Sequence, residues 1–283
     1  NYMTNKIVAI QGNNPSKLNP VTDTSVFLAH EIQNKNYKIF YYDPKDLSII
    51  NSKVIAVGFF IEFNYKNKKF FKILKKQQLD LTKCKFILIR QDPPFNLEYI
   101  SATYILDTIK DKVKILNNPT SIRNVSEKLY SVKFQKYMPN TIFTQNIDEI
   151  KNFFKKHKKV ILKPIHSYSG NDIHLLTSFN LKLIKKFIKQ HDHIMCQKFI
   201  PKISKGDKRV FLINGKVCGA ISRVPKKGSF LSNMSKGAKP INIKLTKIEN
   251  KISKLIAKDL KKQNIFFAGI DFIDQKLNGD INV

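Results

Sequence analysis

The stretch 195–225, MCQKFIPKISKGDKRVFLINGKVCGAISRVP, constrains the fold more than any other part of the chain. Asn214-Gly215 stands between two runs of alternating apolar and polar residues. An Asn-Gly pair in that setting favours the left-handed backbone of a tight two-residue hairpin turn. The spacing predicts a strand stopped by Pro201, a basic loop, and then an antiparallel strand pair carrying Arg209 and Arg223. These are two of only four arginines among 51 basic residues; the others are Arg90 and Arg123. A chain this rich in lysine keeps arginine where a planar, two-pronged donor is needed for a carboxylate or phosphate. The pattern points to a site for an anionic substrate.

The chain ahead of this stretch opens as strand, helix, strand. Residues 6–11 (KIVAIQ) read as a buried strand, Asp23-Thr24-Ser25 can cap a helix through VFLAHEIQNK, and residues 37–42 (YKIFYY) form the second strand. This order implies a parallel sheet in an α/β unit. The first turn lacks GxGxxG, which excludes a dinucleotide fingerprint. A third strand, FILIR, ends in Arg90-Gln91-Asp92-Pro93-Pro94. Open α/β sheets bind ligands at the carboxyl ends of their strands, so Arg90 and Asp92 are candidate site residues; the alternative is a plain surface turn stiffened by two prolines.

Farther along, residues 121–130 (SIRNVSEKLY) begin a helix carrying Lys128, and residues 160–164 (VILKP) form a strand with Lys163 among apolar residues. A lysine there is either an edge charge or a cation aimed into a site. The loop that follows, with Ser167, Ser169 and Gly170, has the length to cover phosphates through backbone N–H groups. Residues 226–240 read as a mobile polar loop. In the last strands, Asp280 and Asn282 are two apart and share a face. With Asp271 opposite them they make an all-oxygen cluster suited to Mg²⁺, against solvated turn carboxylates. That cluster requires a hairpin loop of about six residues, Asp274 to Gly279, and not a tight Asn278-Gly279 turn.

Composition limits the function classes. The net charge of +30 invites a nucleic-acid or membrane reading. Against it, the lysines are spread along the whole chain, they accompany many Asn and Ile, and arginine is nearly absent. No apolar run approaches a membrane span and no signal peptide opens the chain. Three scattered cysteines without a CxxC imply free thiols in a reducing, cytoplasmic setting.

Taken together, RQDPPFNLEYISATYIL, NNPTSIRNVSEKL, VILKP, MCQKFIP, GDKRV, SRVP and FAGIDFI…DINV resemble, in the same order and over nearly the whole chain, bacterial glutathione synthetase of the ATP-grasp ligases. The resemblance implies an α/β ATP-grasp fold: an N-terminal parallel-sheet domain over 1–120, a lid over 121–193 and a C-terminal ATP/Mg-binding part over 194–283. It implies that Lys128, Lys163, Ser167, Ser169 and Gly170 meet the ATP phosphates. Gln197, Lys198, Phe199 and Ile200 would frame the adenine, and Asp207 would lie by the ribose. Asp271, Asp280 and Asn282 would hold Mg²⁺, with Mn²⁺ as a substitute. Arg209 and Arg223 would neutralise the transferred phosphoryl group, and Arg90, Asp92 and Asn233 would serve the peptide substrate. The implied reaction joins γ-glutamylcysteine to glycine at the expense of ATP, in a homo-oligomer without nucleic-acid or membrane partners. Departures from the family pattern are a glycine-poor 166–171 loop, Leu231-Ser232 ahead of Asn233, Asp280 in place of Glu with one extra residue before it, and an end at Val283, so the chain reads as a fragment lacking the C-terminal end. The rival readings are another ATP-grasp carboxylate–amine ligase, of the D-Ala–D-Ala or protein-glutamate type, and a polycationic nucleic-acid binder.

Overall fold

The computed structural model describes residues 6–166, 171–225 and 239–283. The chain divides into two units, residues 1–123 and 124–283.

The first unit holds β1 Ile7–Gln11, α1 Thr24–Gln33, β2 Lys38–Tyr42, β3 Leu47–Ile50, β4 Lys53–Phe63, β5 Phe71–Asp80, β6 Phe86–Ile89, α2 Leu97–Asp107, β7 Lys114–Leu116 and α3 Pro119–Asn124. Strands β2, β1, β6 and β7 are parallel neighbours in that order, as the strand-helix-strand opening predicts. Antiparallel β4 extends the sheet beyond β2, with β3 and β5 paired to it. Alternation sorts the sheet's side chains. Val8, Ile10, Ile39 and Tyr41 pack with Val26 and Ala29 of α1 on one face. Ala9, Phe40 and Tyr42 pack with Ala102 and Leu106 of α2 on the other. Asp23 caps α1 as its side chain accepts from the Ser25 amide at 2.8 Å.

The second unit contains two antiparallel sheets. Strands β8 Thr141–Thr144, β9 Val160–Pro164, β10 His174–Leu176 and β11 Ile194–Lys198 order as β10-β9-β11-β8. Helices α4 Ile147–His157 and α5 Leu181–His191 begin at Asn146 and Asn180, whose side chains accept from first-turn amides. Each turns an apolar pair onto the sheet at helical spacing, Ile150 with Phe153 and Ile184 with Phe187. Each such buried side chain stabilises the fold by roughly 1.5–3 kcal/mol. The second sheet orders β14 Lys239–Asn242, β13 Lys216–Val224, β12 Asp207–Ile213, β15 Phe267–Ile273 and β16 Lys276–Asn282. Asn214 and Gly215 turn β12 into β13 with φ of 48° and 78°, the left-handed pair that Asn-Gly favours. Helix α6 Lys247–Lys262 starts at a reciprocal cap: Glu249 N–H donates to Thr246 and the Thr246 amide donates to the Glu249 carboxylate. Its Ile252, Ile256 and Leu260 form a core with Val210, Ile270 and Phe272.

Two expectations need correction. The helix foreseen over 121–130 ends with α3 at Asn124, and a 3₁₀ segment, Leu129–Tyr137, follows with Lys128 at its cap. The last hairpin does not use a six-residue loop. It turns on Asp274 and Gln275, both left-handed at φ 47° and 62°, the geometry that matches strand twist.

Candidate active site

The extra length left by that tight turn is absorbed inside β16. Ile270 pairs with Ile281 and Phe272 with Leu277, so Asn278, Gly279 and Asp280 together face Asp271 alone. Two surplus residues preserve the in-out alternation, and Leu277 and Ile281 both remain fully buried. The bulge carries Asp280 towards two buried lysines. The Ile281 amide donates to the Glu127 carbonyl at 2.8 Å, which fastens the segment before the 3₁₀ turn to β16. Lys128 Nζ then lies 2.8 Å from Glu127 Oε1 and 3.7 Å from Asp280 Oδ1.

Lys163 arrives from the other sheet. On β9 and β11, Leu162 and Cys196 face the helices. Lys163 pairs with Met195 and points the opposite way. Strand β9 is interior, so Lys163 is no edge charge. Its Nζ donates to Asn278 Oδ1 at 3.1 Å and to the Asn278 carbonyl at 3.3 Å, and lies 3.5 Å from Asp280 Oδ2. Burial works against a charged Lys128, but Asp280 and Glu127 outweigh it and hold its pKa above the ordinary value. Burial raises the Glu127 pKa; Lys128 opposes the rise and Asp280 adds to it.

A second chain of charges crosses β13, β12 and β15. Arg223 Nε donates to Asp207 Oδ1 at 2.8 Å, and its Nη2 lies 3.0 Å from Asp271 Oδ2. Arg209 grips Asp271 with Nε and, at 2.9 Å, with Nη2. Gly269 makes room for this, because a Cβ there would come within 2.9 Å of Arg209 Cδ. Burial alone would raise the Asp271 pKa; the two guanidiniums overcome it and hold the carboxyl down at about 2. The arginines differ in access. The Arg209 side chain is 21% exposed and that of Arg223 only 6%.

Asp207, expected beside a ribose, has both carboxylate oxygens in the Arg223 fork and is buried. The amides of Lys198 and Phe199 donate to the Asn140 and Lys159 carbonyls, which leaves them unavailable to an adenine edge here. The Gln197 side chain is buried, donating to Thr141 Oγ1 at 3.0 Å and the Asn278 carbonyl at 3.2 Å. Ile200 accepts from the Ile203 amide as the chain enters a 3₁₀ turn.

Asp271, Asp280 and the Asn282 amide oxygen have the hard-donor chemistry that Mg²⁺ takes. Asn282 pairs with Gly269, two residues before Asp271, so Asp271 and Asn282 share a face. The donor set fits the metal, with cations on both carboxylates in this structure. Among the described residues no three His, Cys, Asp or Glu side chains converge as a ready-made metal cluster.

In the first unit, Arg90 and Asp92 stand at the carboxyl end of β6. Arg90 Nε donates to Ser25 Oγ at 3.1 Å, and the Asp92 amide donates to Asn13 Oδ1 at 2.6 Å. Burial, helped by Asp23 and opposed by Arg90, raises the Asp92 pKa. Ser167, Ser169, Gly170 and Asn233 lie outside the described residues, as does most of the 226–240 loop. Glu127 and Asn278 escaped sequence reasoning. Glu127 adjoins Lys128 in the sequence, whereas Asn278 reads there only as a turn residue.

Two family models account for nearly the whole chain. Residues 7–123 match the N-terminal domain of prokaryotic glutathione synthetase, and residues 127–283 match its ATP-grasp domain. The chain belongs to the prokaryotic glutathione synthetase family. The glutathione synthetase of Buchnera aphidicola subsp. Baizongia pistaciae is 36% identical over 275 residues, 95% of this chain and 85% of the relative. That of Bradyrhizobium diazoefficiens is 32% identical over 280 residues, 98% of this chain and 89% of the relative. Among solved structures, the ATP-grasp ligase PsnB with a minimal precursor has a TM-score of 0.63 at 14% identity, covering 98% of this chain and 89% of that one. D-alanyl-alanine synthetase A from Vibrio cholerae also has a TM-score of 0.63, at 13% identity, covering 98% and 87%. At those identities the likeness speaks for the ATP-grasp fold alone. No helix among the described residues is long and apolar enough to cross a membrane.

Proposed function

We propose that this member of the prokaryotic glutathione synthetase family makes glutathione, an ATP-dependent ligation of γ-glutamylcysteine to glycine. The observation that carries the reading is the match to both family domains, end to end over residues 7–123 and 127–283. Buried Lys128 and Lys163 converging on Asp280 support it, because phosphates need fixed cations in a water-poor site. We divide the chain functionally into an N-terminal domain over 1–120, a lid over 121–193 and a C-terminal part over 194–283.

The cysteinyl carboxylate oxygen attacks the γ-phosphorus of ATP and ADP leaves, giving an acylphosphate. The glycine nitrogen then attacks the acyl carbon, phosphate departs with the C–O bond electrons, and the amine loses its proton. Lys128 and Lys163 hold the phosphates, Ser167, Ser169 and Gly170 are further ATP contacts, and residues 197–200 frame the adenine through groups other than the Lys198 and Phe199 amides. Asp271, Asp280 and Asn282 would hold Mg²⁺ or Mn²⁺, which supplies charge neutralisation at the transferring phosphoryl group. Arg209, the more exposed arginine, leaves Asp271 to meet the developing negative charge. Arg223 stays between Asp207 and Asp271 and keeps Asp271 in place. In the first unit, Arg90 and Asp92 offer a cation for a substrate carboxylate and an acid for its ammonium; Asn233 is a separate candidate substrate residue.

The reading includes a cytoplasmic homo-oligomer acting on small molecules. Cys84 and Cys196 are buried free thiols, and exposed Ile49, Ile50, Ile73 and Leu74 on the β3–β5 extension are apolar surface for a second copy. The test is ADP release from Mg-ATP and γ-glutamylcysteine with and without glycine, with the product weighed by mass spectrometry. Glutathione formed only with all three substrates is the expected result. ATP turnover with a different amine and none with glycine would overturn it.

A further inference from the structure

Asn278 is the hub of the β16 bulge. Its Oδ1 accepts from Lys163 Nζ at 3.1 Å while its Nδ2 donates to Asp280 Oδ2 at 2.9 Å. Its carbonyl accepts from Lys163 at 3.3 Å and from Gln197 Nε2 at 3.2 Å. The direct approach of Lys163 to Asp280 is longer, 3.5 Å. A side-chain amide can donate to an acid through its nitrogen while its oxygen accepts from an ammonium. The neighbouring Gly279 locks the bulge: it has φ of 88°, and a Cβ there would meet the methyls of Met138 and Met195 at 2.6 and 2.7 Å.

We propose that Asn278 is a positioning residue: it spaces Lys163 from Asp280 so that the lysine stays aimed at an incoming phosphate and the acid stays open to a metal. This rests on the ATP-dependent reading above. Without the amide, the buried lysine and carboxylate, 3.5 Å apart here, would close into a tighter pair, which a low-dielectric setting strengthens. Asn278 touches neither phosphate nor metal in this scheme. It acts through the two groups it holds, which face each other along with Lys128 and Glu127.

The test compares Asn278→Ala and Asn278→Asp with wild type on the full chain. The readouts are ATP-dependent thermal stabilisation and the KM for ATP. Hydrogen bonds to charged groups imply a weakening of ATP binding by about tenfold to a hundredfold in Asn278→Ala. The melting temperature without ATP is the control for folding. Adding Asn278→Ala to Lys163→Met should produce no further loss, because the effect passes through Lys163. Asn278→Asp keeps the shape and loses the donor. Its ATP affinity should fall below that of wild type, because a carboxylate there cannot donate to Asp280. Wild-type ATP affinity in Asn278→Ala, or full additivity with Lys163→Met, would overturn the assignment while leaving the ligase reading intact. Absence of any ATP-dependent stabilisation in wild type would overturn both.

Discussion

Replacing Arg223 by Met should unbalance the second unit more than any other single loss of charge. Arg223 is 5% exposed and joins two carboxylates that are 3% and 4% exposed, Asp207 and Asp271. Asp271 keeps its two hydrogen bonds from Arg209, so the loss falls chiefly on Asp207, whose two oxygens both accept from Arg223. Removing one partner of a buried pair costs about 3–5 kcal/mol, chiefly because a charge is left in a poor solvent. Arg223→Met is therefore expected to lose about 3 kcal/mol in urea unfolding followed by circular dichroism at pH 7.5. Asp207→Asn should destabilise the wild-type protein yet recover about 1–2 kcal/mol in the Arg223→Met background, since it removes a buried charge that has lost its guanidinium fork. An additive cycle, within about 0.5 kcal/mol, would refute the coupling and the structural role given to Arg223.

Other outcomes follow from the same charges and caps. Asp271, with its carboxyl held at about 2 against an ordinary 3.8, should contribute stability that is complete above pH 4 and lost as pH falls through 2. The contribution is about 2 kcal/mol. The urea midpoint of Asp271→Asn plotted against pH should accordingly be flatter than wild type between pH 4 and 2; parallel curves would count against the two-arginine clamp. Lys163→Met should weaken, without abolishing, heat protection by ATP, which at a hundredfold excess over Kd is worth about 2.7 kcal/mol in wild type. Unchanged protection would remove Lys163 from the nucleotide site. Thr246→Ala breaks the reciprocal cap of α6 and should cost about 1 kcal/mol in the same urea assay.

The parts of the fold legible in the sequence are those fixed by short-range chemistry. Asn214-Gly215 announces its hairpin because the left-handed turn is a local preference. The unbroken apolar runs in KIVAIQ and YKIFYY foretell a sheet covered on both faces, since successive side chains must find opposite cores. Lys163 is conspicuous because an ammonium in an apolar strand needs a partner, and the strand's alternation sends it away from the helices. The antiparallel β3–β5 extension was not foreseen, because the lysines of KILKKQQ obscure the alternation that β4 imposes by pairing.

The site's acids resist such reading because their placement depends on register. Asn278-Gly279 looks like a turn on local chemistry, and a turn there would have paired Leu277 with Asp280. The chain turns instead at Asp274-Gln275, where both residues adopt left-handed backbone despite weaker intrinsic preference than Asn-Gly. The decision is made by burial. The adopted register places Leu277 and Ile281 in the core with Ile270 and Phe272, and two apolar side chains at roughly 1.5–3 kcal/mol each outweigh the turn preference. The two surplus residues are then forced into a bulge opposite Asp271, and it is this long-range compromise that sets Asn278 against Lys163. A local preference frustrated in favour of the core thus places Asn278, ordinary by residue type, between Lys163 and Asp280.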